Sequence, residues 1–248
     1  MKTAKKKAPA KKKPKTAKPE KQRRFRPFRW VRKWLFRAGL AVVAVVLLAV
    51  AFYSFINPPT TPYIMSESRR LGNVDRTWVS IGQVSPRLAR SVVAAEDANF
   101  CDHWGFDVAA IRAAITQGGA RGASTISQQV VKNVYLWQGR SWPRKALEAV
   151  LTPLVEIFWS KRRILEVYLN VAEFDEGVFG IEAASRHYFG VGPDKLSAVQ
   201  AARLAAVLPN PKGRSASKPT AKIRKRSRAI LSGAATILAD GRSVCFEG

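Results

Sequence analysis

Along most of the chain apolar residues return every three or four positions, and strict strand-like alternation is scarce. This spacing predicts helices over residues 85–100, 106–117, 125–136, 143–158, 161–170, 179–189, 196–207 and 222–239. No internal repeat is present, so the expected class is all-α, or nearly all-α. One segment departs from the pattern by being apolar on every face. Residues 38–56, "AGLAVVAVVLLAVAFYSFI", carry no charge in 19 positions. At a rise of about 1.5 Å per residue the run covers close to 30 Å, roughly a bilayer core, and predicts one transmembrane helix.

Charge fixes the direction of that span. Seventeen of the 43 Lys and Arg residues lie in the first 37 positions, against a single acid, Glu20. The opening "KTAKKKAPAKKKPKTAKPEKQRR" is Lys, Ala and Pro without an apolar period, a composition that cannot form a core. Alone it would suggest nonspecific nucleic-acid binding. Followed by a membrane span it reads instead as a topology and anionic-lipid anchor, and nucleic acid is not an expected partner. A cleaved signal peptide fits poorly, because the basic region is too long and no small-x-small site follows. Arg29, Arg32, Lys33 and Arg37 precede the span, with Trp30 and Trp34 at its edge. The positive-inside rule then puts the N-terminus in the cytoplasm and residues 57–248 outside. The expected organisation is a basic tail (1–37), the membrane helix (38–56), a linker opening on the Pro-rich "NPPTTPY" (57–79), and one domain (80–248).

Within that domain "AAEDANFCDHWGFD", residues 94–107, is dense in acids for so basic a chain. Ser85-Pro86 has the form of an N-cap followed by proline at the first helical position. The stripe Leu88, Val92, Phe100 then includes Glu96, while Asp97 falls off it and is expected to be solvated. A carboxylate on an apolar stripe is desolvated, which raises its pKa towards that of a general base. The competing reading is a Glu paired with a buried Arg for structure alone, and the residues leave both open.

"GGARGASTISQQVVKN", 118–133, places a glycine loop before a helix, with Thr125 and Gln128 at capping-box spacing. Free N–H groups at such an N-terminus attract anions, and Arg121 and Lys132 would add to the pull. A plain capped helix after a turn is the simpler alternative. Adjacent amides at Gln128 and Gln129 suit a polyhydroxyl ligand. Further on, Arg140, Arg144 and Lys145 make a cationic patch suited to phosphates, although Arg144 and Glu148 at i,i+4 also fit a surface ion pair. Tyr135, Leu136, Trp137 and Trp142 have interfacial character. In "SKRRILEVYLNVAEF", Ile164, Leu165, Tyr168 and Leu169 are expected in the core, with Asn170 as a helix cap. Two histidines, His103 and His187, and no His-Glu-x-x-His pattern give no zinc site. The Ser-x-x-Lys match at 215–218 lacks its companion motifs and is set aside as chance.

Taken together, "EDANFCDHWG", "GASTISQQVVKN", "RKALE", "KRRILEVYLN" and the region from "GIEAASRHYFG" to "LAAVLPNP" resemble the peptidoglycan glycosyltransferase family in its monofunctional, membrane-anchored form. The resemblance covers roughly residues 80–211 and rests on five blocks in family order. It implies a lysozyme-like α-helical domain that polymerises lipid II outside the cytoplasmic membrane by inverting transfer, releasing undecaprenyl pyrophosphate. By the same resemblance Glu96 is the general base and Glu148 the second essential glutamate on the pyrophosphate side. Lys132 and Arg140, with Arg144 and Lys145 nearby, would hold the donor pyrophosphate. Gln128 and Asn133 would shape the cleft, and Asp97 and His103 would support the first block. Mg²⁺ or Mn²⁺ with the pyrophosphate is implied without dedicated protein ligands, and no organic cofactor. Implied partners are lipid II, the growing glycan strand, the membrane, and cell-wall synthesis or division proteins. The chain departs from the family pattern at Ala123, Ser127, Cys101 and Gln200.

A lysozyme-like lytic enzyme would share the fold and a catalytic Glu but would not need the basic patch. A non-catalytic scaffold is the alternative of another class. Cys101 and Cys245, both placed outside by the topology, favour pairing by their even number in an oxidising compartment. Two free thiols are the alternative.

Overall fold

The computed structural model describes residues 27–116 and 124–247. The chain divides at Ala44 and Val45 into two units. In the first, the opening turns of helix α1 (Pro27–Tyr53) expose Phe28, Trp30, Trp34, Leu35 and Leu40. Residues 28–53 of α1 form the one helix among the described residues that is long and apolar enough to cross a membrane, with a mean hydropathy of 2.5 in its most apolar window. Only 6 % of that window is buried, which separates it from the core helix of a soluble domain. The helix begins earlier than the uncharged run and ends earlier, because residues 54–56 leave it in a turn.

The second unit begins in the last turns of α1. Val50 is fully buried and its carbonyl accepts from Trp159 Nε1 at 2.7 Å. Arg163 donates to the carbonyls of Tyr53 and Ile56, and Arg76 to those of Pro58 and Pro59. The segment expected as a linker is therefore tied down, and its middle is a helix, α2 (Pro62–Leu71). Thr61 caps it, Pro62 opens it, Tyr63 packs edge-on against Phe179 at 5.3 Å, and Glu67 pairs with Lys212 at 2.9 Å. The prolines that suggested a tether mark a helix start.

The remaining elements are β1 (Asp75–Arg76), α3 (Pro86–Glu96), α4 (Val108–Thr116), α5 (Ile126–Tyr135), α6 (Trp142–Phe158), α7 (Lys161–Val171), β2 (Glu173–Asp175), β3 (Val178–Phe179), α8 (Ile181–Phe189), α9 (Ala198–Val207), α10 (Ala221–Ala239) and α11 (Val244–Glu247). Each of the eight helical periods overlaps one of these helices, with ends that differ by up to four residues. A small sheet, ordered β1-β3-β2, has β3 parallel to β1 and antiparallel to β2.

Helices α3, α9 and α10 pack together, and α5 packs against both α6 and α7. Helix α7 supplies the centre of the core: Ile164, Leu165, Tyr168 and Leu169 are almost wholly buried. Each such aliphatic side chain contributes roughly 1.5–3 kcal/mol by leaving water. Asn170 does not cap α7. Its side chain is buried and clamps Val79, accepting from the Val79 N–H and donating to the Val79 carbonyl, both at 2.8 Å. Leu136 is buried, so of the four residues with interfacial character only Trp137 and Trp142 are strongly exposed.

Candidate active site

Helix α3 carries Leu88 and Val92 into the core and ends at Glu96. The next residue, Asp97, leaves the helix with φ −162° and turns inward. It is buried and not solvated as expected. Its Oδ1 meets His103 Nε2 at 2.8 Å, and its Oδ2 accepts the Ile126 N–H at 2.9 Å. Asp97 thus fastens the end of α3 to the start of α5, where negative charge meets the positive end of the helix. Thr125 and Gln128 complete the capping box of α5, and Thr125 Oγ1 donates to the Gly105 carbonyl at 2.6 Å. Gly105 is required there: its φ is +80°, and a Cβ would lie 2.5 Å from Thr152 Cγ2.

Glu96 itself is 12 % exposed at the side chain. Gln129 Nε2 donates to its Oε2 at 3.1 Å, and the Tyr168 hydroxyl donates to Gln129 Oε1 at 3.3 Å. That chain from α7 through α5 fixes one carboxylate oxygen. The other, Oε1, is buried without a hydrogen-bond partner, with Arg226 Nη2 of α10 at 3.7 Å. Burial pushes the Glu96 pKa up, while Gln129, Arg226, Lys132 and Arg214 pull it part of the way back. A desolvated carboxylate whose pKa is raised by burial suits proton abstraction.

Glu96 and Asp97 border a cleft of about 270 Å³, and a larger one of about 740 Å³ lies on the other side of Ser124, which lines both. The larger cleft is walled by Lys132, Arg140, Arg144, Lys145 and Arg214, with Glu148 as its carboxylate. Glu148 is buried rather than a surface partner. Its Oε2 accepts from Arg144 Nη1 at 3.1 Å, and its Oε1 is paired with Lys145. Arg144 also donates through Nε to the Gly139 carbonyl at 2.8 Å, so its guanidinium is locked in place. Lys132 lies in the field of both glutamates; burial lowers its pKa, and Glu148 and Glu96 push it back up. Gln128 and Gln129 line the same cleft. Asn133 is buried outside these walls and accepts from Gln138, which does line it.

The first-block residues and the cationic patch are thus brought to adjoining clefts, with His103 standing behind Asp97. Arg121, with Gly118, Gly119, Gly122 and Ala123, lies outside the described residues. Three neighbours escaped the sequence reading as site residues: Asn210, Arg214 and Arg226. Arg226 carried a usable signal, because it sits three residues after Ile223 and four before Ile230 on the buried stripe of α10.

Among the described residues no three His, Cys, Asp or Glu side chains gather in one group. Glu148 is already engaged through both oxygens by cations. This donor set does not fit a divalent-ion cage, and no step is assigned to Mg²⁺ or Mn²⁺.

Comparison with known proteins agrees with this arrangement. The family model described as Transglycosylase matches residues 64–235. A protein named biosynthetic peptidoglycan transglycosylase from Jannaschia sp. (strain CCS1) is 57 % identical over 216 residues, covering 87 % of this chain and 90 % of the relative. Proteins of the same name from Stutzerimonas stutzeri (strain A1501) and Caulobacter vibrioides (strain ATCC 19089 / CIP 103742 / CB 15) are 50 % and 43 % identical. Those alignments cover 76 % and 88 % of this chain, and 82 % and 96 % of the relatives. With more than half its length matched by one family model, and glutamates and cations set in adjoining clefts, the chain belongs to the transglycosylase family.

Proposed function

We propose that the protein polymerises lipid II into β-1,4-linked glycan strands and releases undecaprenyl pyrophosphate. The observation that carries this reading is a largely buried carboxylate at Glu96 beside a cleft lined by five cations and one carboxylate. In the transfer, the acceptor's 4-hydroxyl oxygen attacks C1 of the donor sugar and its proton passes to the Glu96 carboxylate. The C1–oxygen bond to pyrophosphate breaks, and the leaving group takes the electron pair. Lys132, Arg140 and Arg144 then face the charge that grows on the pyrophosphate. Glu148 orders Arg144 and Lys145 as a paired cationic wall. A glycan-cleaving enzyme has no need of such a wall, because its leaving group is a neutral sugar hydroxyl.

The rest of the molecule supports action at a membrane surface. Helix α6 buries Glu148, Thr152 and Val155 and exposes Leu147, Val150 and Ile157, with Trp142 at its start. Such an apolar strip suits the interfacial zone of a bilayer, where a lipid-linked donor presents its head. We place the N-terminus in the cytoplasm and residues 57–248 in the periplasm, by the basic flank of α1.

Incubated with lipid II, the full chain should give polymer and undecaprenyl pyrophosphate, and no soluble fragments from isolated sacculi. Fragments without polymer would mean a lytic enzyme. The pH profile offers a second check. Glu96 faces Arg226 on α10, Lys132 and Gln129 on α5, Tyr168 on α7, and Arg214. Removing the Arg226 cation leaves burial less opposed, so the Glu96 pKa rises further. Arg226→Ala should therefore move the acid limb of kcat/KM to higher pH, and Arg226→Lys should restore much of it. An acid limb that stays in place would show that Glu96 is not the titrating base.

A further inference from the structure

The turn that follows Glu96 is lightly bonded within itself. The Phe100 N–H donates to the Asp97 carbonyl at 3.0 Å, and the Asp102 N–H to the Asn99 carbonyl at 2.8 Å. Asp97 is held by His103 and the Ile126 N–H, Asn99 Nδ2 donates to Asp107 Oδ2 at 2.9 Å, Phe100 is buried in the core, and a further set of anchors comes from the last residues of the chain. Arg242 Nη1 donates to the Ala98 carbonyl at 2.9 Å and to Asn99 Oδ1 at 3.3 Å, and Asp240 holds the same guanidinium at 2.7 Å. Cys245 is joined to Cys101, with their Cα atoms 5.7 Å apart. Phe246 is buried with its ring 6.4 Å from that of Phe100. Glu247 accepts from Arg90 Nη1 with both oxygens, at 2.9 and 3.0 Å, which ties the same segment to α3. These residues lie beyond position 235, where the family match ends.

We infer that residues 240–247 form a clasp that positions the Glu96–Asp97 turn for the polymerisation proposed above, with Arg242 and Cys245 as positioning residues. The clasp holds the turn at Ala98, Asn99 and Cys101, and α3 at Arg90. Glu96 and Asp97 lie between those grips. Asp97 carries the placement on to α5 through the Ile126 N–H, and so towards Gln129 and Lys132 on the same helix. A bridge that only added stability could have joined any two elements; this one lands five residues past the last residue of α3. Reacting groups misplaced by about 1 Å lose on the order of 10²-fold in rate, so slack in this turn should appear in kcat rather than in donor binding.

The test uses the full chain in detergent. Compared are the oxidised protein, the protein reduced with dithiothreitol, the Cys101→Ser/Cys245→Ser double variant, and Arg242→Ala with the bridge intact. Reduction should lower kcat for lipid II by roughly 10- to 100-fold with little change in KM. Amide exchange over 97–102 should quicken, and reoxidation should restore both. The double variant should start low and ignore the reductant, and Arg242→Ala should show a smaller loss of the same kind. If reduction costs the helical circular dichroism at the assay temperature, Arg242→Ala decides the outcome. A lowered melting temperature with unchanged kcat and unchanged exchange over 97–102 would overturn the clasp and leave a purely structural bridge. Should the oxidised wild type make no polymer, the proposed reaction fails, and exchange over 97–102 still decides for or against the clasp.

Discussion

Replacing Glu96 by glutamine should cost about 10²–10⁴-fold in turnover while leaving the fold intact, the range over which a positioned general base contributes. The two oxygens of Glu96 are held differently. Oε2 is held by Gln129 Nε2, and Oε1 has no hydrogen-bond partner. In Glu96→Gln the new amide can keep its oxygen on Gln129 and turn its NH₂ into the place of Oε1. Packing around Leu88, Val92 and Phe100 is then undisturbed, and burial of a neutral amide is less costly than burial of a carboxylate. What is lost is the carboxylate able to take the acceptor's proton. Initial rates of lipid II polymerisation, set beside melting curves, check this. Near wild-type rates would remove Glu96 from the chemistry, and a collapse of the melting temperature would make it a structural ion-pair residue.

The same residue shows how far the sequence could be read. The apolar period marks eight helices, seven of which bury one face while α4 buries no residue, and it marked Glu96 as out of place on such a face. The period then failed one residue later. Projecting it onto Asp97 assumed that the helix continued, whereas the chain turns at Asp97 and buries the carboxylate against His103 and the start of α5. Glu148 was open to reading as a surface partner of Arg144 because i,i+4 spacing is the same whether a helix face is wet or covered. Only the packing of α5 on α6 decides that. Helix α2 hid behind prolines that serve equally as linker and helix start. Of two adjacent amides, Gln128 is drawn into the capping box and Gln129 reaches Glu96, a difference of one helical position that spacing alone did not rank. Arg226 shares the signal that exposed Glu96, a charge on a buried stripe. The two meet because α3 and α10 pack together, a long-range fact that periodicity cannot carry.

Loss of the Cys101–Cys245 bridge should produce the largest change in stability. The bond closes a sequence separation of 144 residues. In the chain-entropy account such a closure removes about 4–5 kcal/mol of freedom from the unfolded state, an upper value because residual structure and native strain subtract from it. For a domain of this size that corresponds to a fall in melting temperature of roughly 10–20 °C. The folded side of the balance limits the damage. With the bridge gone, Phe246 still fills its buried site, Glu247 still meets Arg90, and Arg162 still donates to the Phe246 carbonyl at 3.0 Å. The Cys101→Ser/Cys245→Ser chain should accordingly fold and melt cooperatively, only earlier. Scanning calorimetry of the oxidised wild type beside this variant measures the difference. A shift of less than about 2 °C would mean that those non-covalent contacts already confine the C-terminus in the unfolded ensemble, leaving little entropy for the covalent bond to remove.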